Sequence, residues 1–433
     1  MTSFAMNCLG CKVNAYEAEC VRQTLLKRGY EEKSFKECAD VYIVFTCAVT
    51  NTAAQKSRQR FHQAMKQSSE AIKVVVGCYV QVALEKLMDE PIDILVGSSS
   101  KDKIPDLIEE YRRNHERIIA VKELRTSADF EVMKLDSFEH QTRAYLKVQD
   151  GCNQFCSYCV IPYARGKERC MKPEDVIEAA ISLSNNHKEI VLTGIHTGRY
   201  GHDFDTSLCK LIEGILASCP KLERVRISSI EVTEVSDELI DLMKREKRVA
   251  KHFHIPLQSG CDATLKRMNR PYTTSEFLKK INYIREQIPD ISISTDLIVG
   301  FQGESEEEYQ STLKFLKEVD FSFMHVFPFS MKSNTAAEKM KGTIPDNIKK
   351  QRVQEVLNLS KEGYRNYMQR FVGREVEVLT EENEGYVTKG HTSEYVPVTI
   401  LGSYKSNELI KVSIETLKAE AMVGKAVVGN ETE

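Results

Sequence analysis

Short apolar runs alternate with amphipathic helical stretches twice along this 433-residue chain, and that alternation leaves few folds open. Strand, helix and strand in repeated succession close most simply as parallel strands with helices across their faces. The first series predicts strands at 3–6, 41–46, 74–76 and 92–96, with helices at 16–28 and 53–66. Residues 97–142 turn charged, which predicts a last helix and then a linker. A second series offers six strands, at 144–148, 189–193, 224–228, 252–256, 292–298 and 323–329. Helices are expected between them at 172–185, 207–218, 236–247, 274–287 and 306–319, with start signals such as Pro173 and Ser305. A full barrel of this kind closes with eight units, so six predict one that stays partly open.

A long polar helix at 346–371 leads into a tail of different period. Strands are expected at 375–379, 395–400 and 409–414, with Gly385, Gly390, Gly402 and Gly424 as turns. That pattern reads as a small β-barrel or sandwich. The fold class is therefore α/β: a parallel-sheet domain over 1–137, a partial (βα)6 barrel like a TIM barrel over 138–368, and a C-terminal β-barrel over 369–433. At roughly 100–200 residues per domain, the length suits this division.

The chain carries 60 basic and 63 acidic residues, net −3, so any nucleic-acid contact must come from local patches. Three runs qualify: Lys56 to His62, Lys244 to Arg248, and Lys349 to Arg352. The tail holds 7 basic and 11 acidic residues, net −4, and would need Tyr386, Tyr395 or Tyr404 to stack on bases. No signal peptide is visible and no apolar run approaches the ~18 residues of a membrane span, so a soluble, cytoplasmic protein is expected. Thirteen cysteines, an odd number, make a disulfide frame a poor reading in a reducing compartment and favour metal or redox chemistry.

Cys152, Cys156 and Cys159 sit in one short loop directly after the first barrel strand. Zinc would ask for a fourth ligand nearby, and none follows at finger spacing. Three thiolates on a four-iron, four-sulfur (4Fe-4S) cluster leave one iron able to take an amine and a carboxylate from a substrate. The competing reading is three buried or zinc-bound cysteines. The triplet resembles the radical S-adenosylmethionine superfamily over residues 143–330. The resemblance implies a reduced cluster that cleaves S-adenosylmethionine to a 5′-deoxyadenosyl radical, able to open an unactivated C–H bond.

Candidates for binding that cofactor are Tyr158 within the triplet and residues at strand ends: Thr193, Gly194, Ser229, Glu231, Gln258 and Asp296. A turn or a satisfied core polar group is an open alternative for each. Arg165 and Arg169 are candidates for anion contacts, or else exposed loop arginines.

Cys11, Cys47 and Cys78 each follow a predicted strand of the first series, and loops after parallel strands gather at the carboxyl edge of the sheet. That geometry predicts a second cluster with an open iron. Cys8 competes with Cys11, which is preferred because Gly10 gives a tight turn before it while Cys8 still belongs to the strand. The other cysteines read as small buried hydrophobes.

Leu-Gly-Cys-Lys-Val-Asn at 9–14, Thr-Cys-Ala-Val-Thr at 46–50, Gly-Cys-Tyr-Val-Gln at 77–81, the triplet, and His-Ile-Pro-Leu-Gln-Ser-Gly at 254–260 together resemble the methylthiotransferases. The resemblance spans nearly the whole chain, with a tail like a TRAM barrel. It implies two 4Fe-4S clusters and two uses of S-adenosylmethionine, one methylating a sulfur and one making the radical. Of three branches, Gly-Cys-Lys-Val-Asn at 10–14 and Ser-Ser-Ile-Glu at 228–231 are similar to the branch acting on threonylcarbamoyladenosine in tRNA. Cys8 and Cys170 depart from its pattern. The implied partners are a threonylcarbamoylated, ANN-decoding tRNA and an electron donor such as flavodoxin or ferredoxin, with the chain a monomer. The alternatives are isopentenyladenosine tRNA, a ribosomal-protein aspartate, or a non-catalytic RNA-binding iron–sulfur sensor.

Overall fold

The computed structural model describes residues 2–49, 51–124, 129–139 and 141–427. Its first layer is an all-parallel sheet in the order Glu31–Lys33, Ser3–Cys8, Val41–Thr46, Ile72–Gly77, Ile94–Val96, Ile118–Ala120. Every residue of Val41–Thr46 is buried, as a central strand covered on both faces requires. The edge strands Glu31–Lys33 and Ile118–Ala120 are additions to the sequence reading; three residues are too few to carry a period.

The linker expectation is corrected by residues 129–139, which pack along the helix Lys12–Lys27. Tyr16 donates to the Met133 carbonyl at 2.7 Å, and Arg22 pairs with Glu139 at 2.6 Å. Met133, Leu135 and Phe138 are buried in the apolar core that continues beneath both α/β units.

Six parallel strands follow in two arcs of three: Arg143–Lys147, Glu189–Thr193 and Arg224–Ile227, then His252–His254, Ser292–Val299 and Phe323–Pro328. Single bridges at Val225–Val249 and Ser229–His254 join the arcs into one partial barrel. Its helices start where the sequence signals them. Ser305 and Glu308 form a reciprocal capping box on Glu306–Val319, and Thr273 and Glu276 do so on Thr274–Gln287. The long helix Asp346–Gln369 lies against the last barrel strand, where Ser360 Oγ accepts from the Met324 amide at 2.9 Å.

The tail closes as a five-stranded barrel in the order Glu375–Asn383, Val387–Thr392, Pro397–Leu401, Ala421–Ala426, Leu409–Lys418. Gly390 and Gly424 are not turns, as expected, but interior strand residues. A Cβ on either would come within 2.2 Å of a carbonyl on the neighbouring strand, so glycine permits the close approach beside each bulge.

This small barrel caps the amino-terminal end of the larger one. Glu189, at the start of its strand, pairs with Arg226 at 2.7 Å and Arg224 at 3.1 Å. Those arginines donate onward to the Ser393, Thr392 and His391 carbonyls. Among the described residues no helix is long and apolar enough to cross a membrane.

Candidate metal centres and active site

The triplet loop is held from several sides. The Cys159 amide donates to the Cys156 carbonyl at 2.9 Å, and the Ser157 hydroxyl donates to the Arg267 carbonyl at 2.7 Å. Burial pushes the Cys159 thiol up to about 12. Metal ligation removes such protons, so a site of this kind binds its metal with proton release. Two contacts were not legible in the spacing. Arg270 Nη1 lies 3.3 Å from Cys156 Sγ and also pairs with Glu231. His196 Nδ1 lies 3.6 Å from Cys152 Sγ, with its Nε2 2.7 Å from Glu234. Burial opposes the charge on His196, yet hydrogen bonds to Cys152, Glu168 and Glu234 outweigh it and push the imidazole up to about 12. Both residues come from loops distant in sequence, so no local motif announces them.

The second trio gathers because its strands are neighbours. Ser3–Cys8, Val41–Thr46 and Ile72–Gly77 lie side by side, and Cys11, Cys47 and Cys78 leave their carboxyl ends. The Cys47 thiol, pushed up by burial to about 11, interacts electrostatically with both Cys78 and Cys11. A Cβ on Gly10, whose φ is +122°, would reach within 3.2 Å of Cys47 Cβ. Only glycine serves in a turn that tight. Cys11 caps the helix Lys12–Lys27, and desolvation raises its thiol although Arg165 pulls the other way. Cys8 ends its strand as expected, with its thiol raised by burial to about 12 and close enough to feel Cys11 and Cys47.

Among the described residues, neither trio closes to the mutual 4.8 Å separation of a single-ion site.

Arg165 joins the two halves. It is fully buried, with Nε 3.2 Å from Cys78 Sγ and Nη1 2.6 Å from Glu17. Glu17 is also paired with Lys147 at 2.8 Å and with Lys101 at 3.2 Å. Burial opposes ionisation of Glu17, but Arg165, Lys101 and Lys147 outweigh it and hold the carboxyl down at about 2. Arg169 bonds Asp150 at 3.0 Å and the Arg165 carbonyl at 2.8 Å. Neither arginine is an exposed loop residue; both meet anionic groups of the protein itself.

Of the residues proposed for the cofactor, Tyr158, Gln258 and Asp296 line one cavity of about 220 Å³ together with Cys159 and Val49. Gln258 holds a left-handed backbone at φ +68°, a strained conformation of the sort that collects at binding sites. Thr193, Gly194, Ser229 and Glu231 do not line that cavity. Thr193 is buried and accepts from the Val148 amide at 2.9 Å; Gly194 packs against Gln149; Ser229 bridges to His254; Glu231 holds Arg270.

The basic runs divide. Arg352 is buried against Glu304 and Glu306, Lys349 pairs with Asp346, Arg245 with Glu213, and Arg248 with Glu246. Lys56, Arg58 and Arg60 stay exposed on the helix Asn51–Gln67, just past Cys47. Of the three tail tyrosines, Tyr386 is 94% exposed, Tyr404 packs on the tail core, and Tyr395 lies between His391 and His252 with Arg143 and Arg226 each 4.9 Å from its ring.

The Radical SAM superfamily matches residues 146–316, and Uncharacterized protein family UPF0004 matches residues 3–97. Threonylcarbamoyladenosine tRNA methylthiotransferase MtaB of Bacillus subtilis (strain 168) is 38% identical over 96% of this chain and 94% of its own length. The protein of the same name from Aquifex aeolicus (strain VF5) is 36% identical over 95% of this chain and 99% of its own. The chain belongs to the radical SAM methylthiotransferase family. A second branch is also similar: the tRNA-2-methylthio-N(6)-dimethylallyladenosine synthase of Thermodesulfovibrio yellowstonii is 33% identical over 96% of both chains. In fold the chain is similar to the solved structure of the radical S-adenosylmethionine methyltransferase TsrM from Kitasatospora setae, with cobalamin and a 4Fe-4S cluster bound. That match has a TM-score of 0.57 at 12% identity, covering 76% of this chain and 75% of the other. Membership of the radical SAM superfamily implies a 4Fe-4S cluster and S-adenosylmethionine for this methylthiotransferase, and the triplet loop offers the three thiolates such a cluster takes.

Proposed function

We propose that this chain is a tRNA methylthiotransferase that converts N6-threonylcarbamoyladenosine beside the anticodon to its 2-methylthio form. The observation that carries the reading is the buried contact of Arg165, six residues past Cys159, with Cys78 of the N-terminal trio at 3.2 Å, in a chain 38% identical to an MtaB protein. Cys152, Cys156 and Cys159 hold the radical-generating cluster in this reading, and Cys11, Cys47 and Cys78 hold a second. When bound, these clusters and S-adenosylmethionine supply the radical and sulfur chemistry.

The chain's own groups orient and shield. Tyr158, Gln258 and Asp296 form the walls against which S-adenosylmethionine lies. Arg270 and His196 place fixed donors beside Cys156 and Cys152, where they bond thiolate sulfur and tune the centre. Thr193, Gly194, Ser229 and Glu231 hold that framework in position. Lys56, Arg58 and Arg60 present positive charge on the side of Cys47 and contact tRNA phosphates. A flavodoxin or ferredoxin supplies electrons, and the protein acts as a cytoplasmic monomer with domains over 1–137, 138–368 and 369–433.

Mass spectrometry of tRNA nucleosides from a strain lacking the gene tests the reaction. Loss of the 2-methylthio form with accumulation of threonylcarbamoyladenosine is expected; an unchanged nucleoside profile rejects it. Loss of a 2-methylthio isopentenyl derivative instead would assign the other tRNA branch.

A further inference from the structure

The inner wall of the partial barrel encloses a cavity of about 430 Å³ that the cofactor reading does not use. That volume is in the range of small-molecule sites. Ser228, His254, Ser294 and His325 face it from the strands, and Lys12 enters it from the N-terminal domain. Asp296 pairs with His254 at 3.3 Å, and Asp296 also lines the cavity beside Cys159. The two spaces therefore meet at the His254–Asp296 pair.

The charges around this lumen are nearly all matched within the protein. Arg226 is engaged by Glu189 and by tail carbonyls, and Arg143 by Glu381 at 3.1 Å. Asp296 faces His254, and Glu420 lies at the tail end. Burial pushes His252 well below its ordinary value and lowers His325 as well, so neither supplies a firm cation. Lys12 is different: among the described residues it makes no ion pair, and it sits one residue past Cys11 at the cavity. Lys12 is exposed to solvent at the cavity mouth, so its ammonium is open to a ligand anion by a charge-assisted hydrogen bond.

Resting on the threonylcarbamoyladenosine reading, we propose that the barrel lumen receives the substituent on the adenine, with Lys12 as the group that binds its carboxylate. The threonyl arm carries a carboxylate and a hydroxyl where an isopentenyl arm carries only carbon. In the lumen Ser294 already bonds His252 and His254, His254 pairs with Asp296, and Ser228 bonds Thr197, so Lys12 is the group that offers the threonyl arm an anion contact the isopentenyl arm cannot use. Anchoring at Lys12 brings the nucleoside up against Cys11 on one side and the Asp296 wall of the cofactor cavity on the other.

The test uses anticodon stem-loop RNAs bearing threonylcarbamoyladenosine, the same nucleoside with its carboxyl converted to an amide, or isopentenyladenosine. Reconstituted wild type, Lys12→Gln and Lys12→Arg are compared by KM, kcat and iron content. Wild type is expected to favour acid over amide by about tenfold or more in kcat/KM, as a charge-assisted contact would give. Lys12→Gln should bring that ratio near one, chiefly through KM, and Lys12→Arg should restore part of it. A wild-type ratio near one, or a ratio that survives Lys12→Gln, overturns the proposal. If Lys12→Gln loses iron, the wild-type ratio and the Lys12→Arg ratio decide: a tenfold preference retained in part by arginine supports it. Failure of the underlying substrate reading looks different, as wild type would then ignore the threonylcarbamoyl RNA and modify the isopentenyl one.

Discussion

Arg165 Nε lies 3.2 Å from Cys78 Sγ, although the two residues belong to different α/β units and are separated by 87 positions. The same guanidinium grips Glu17 through both terminal nitrogens, at 2.6 and 3.1 Å. One side chain thus fixes the N-terminal sheet on the barrel and sets the cysteine it touches.

Removing either partner strands a buried charge. Arg165→Met and Glu17→Gln should each destabilise the fold by about 3–5 kcal/mol. Urea unfolding measures that loss. Arg165→Met should also weaken iron retention at the N-terminal trio while sparing the triplet, read as partial loss of iron on desalting. Full iron retention would separate Arg165 from that trio.

Acid should loosen the two junctions by a calculable route. Glu17 and Glu189 are each held down at about 2, from an ordinary value of 4.5. For Glu189, burial opposes ionisation but Arg226 and Arg224 outweigh it. A depressed folded value means the stabilisation is complete above 4.5 and is lost as pH falls through that value towards 2. Stability of the cluster-free protein, followed by urea unfolding at a series of pH values, should therefore fall across that window. Glu189→Gln should be less stable near neutrality and show a shallower fall.

Tyr395, 36% exposed, has its ring engaged within the protein at the junction of the two barrels. Its ring stacks on His391 at 5.1 Å with an interplanar angle of 24°, and Arg143 and Arg226 lie over it. Tyr395→Ala should destabilise the junction by about 1–2 kcal/mol, through its lost ring and cation contacts, and speed proteolysis between the barrels. Tyr386→Ala, on an exposed turn, should leave stability within about 0.5 kcal/mol.

Lys56, Arg58 and Arg60 carry the expected phosphate contacts. Replacing all three with Gln should weaken tRNA binding and lower the slope of log affinity against log salt by about 2. Filter binding at several salt concentrations checks this. An unchanged slope would place the tRNA elsewhere.

Much of this architecture was legible because its signals are local. The run 41–45 is apolar throughout and became the body of Val41–Thr46; Ser305 marked a helix start and forms with Glu308 the capping box seen. Cysteines placed after strands could be assembled from topology alone, since neighbouring parallel strands bring their following loops together. What escaped depends on approach between distant segments. Gly390 and Gly424 look like turn residues until the barrel closes and places a carbonyl 2.2 Å from the missing Cβ. His196 and Arg270 sit in unremarkable loops and Lys12 opens a helix, and only the folded chain sets them on Cys152, on Cys156 and in the lumen. The run Lys349 to Arg352 reads as a phosphate patch, but Glu304 and Glu306 already hold its arginine.

The most direct measurement is the iron content of anaerobically reconstituted wild type beside Cys47→Ala. Two four-iron clusters predict about eight irons in wild type and about four in the variant, with the remaining cluster still cleaving S-adenosylmethionine to 5′-deoxyadenosine. Equal iron in the two proteins would contradict the account.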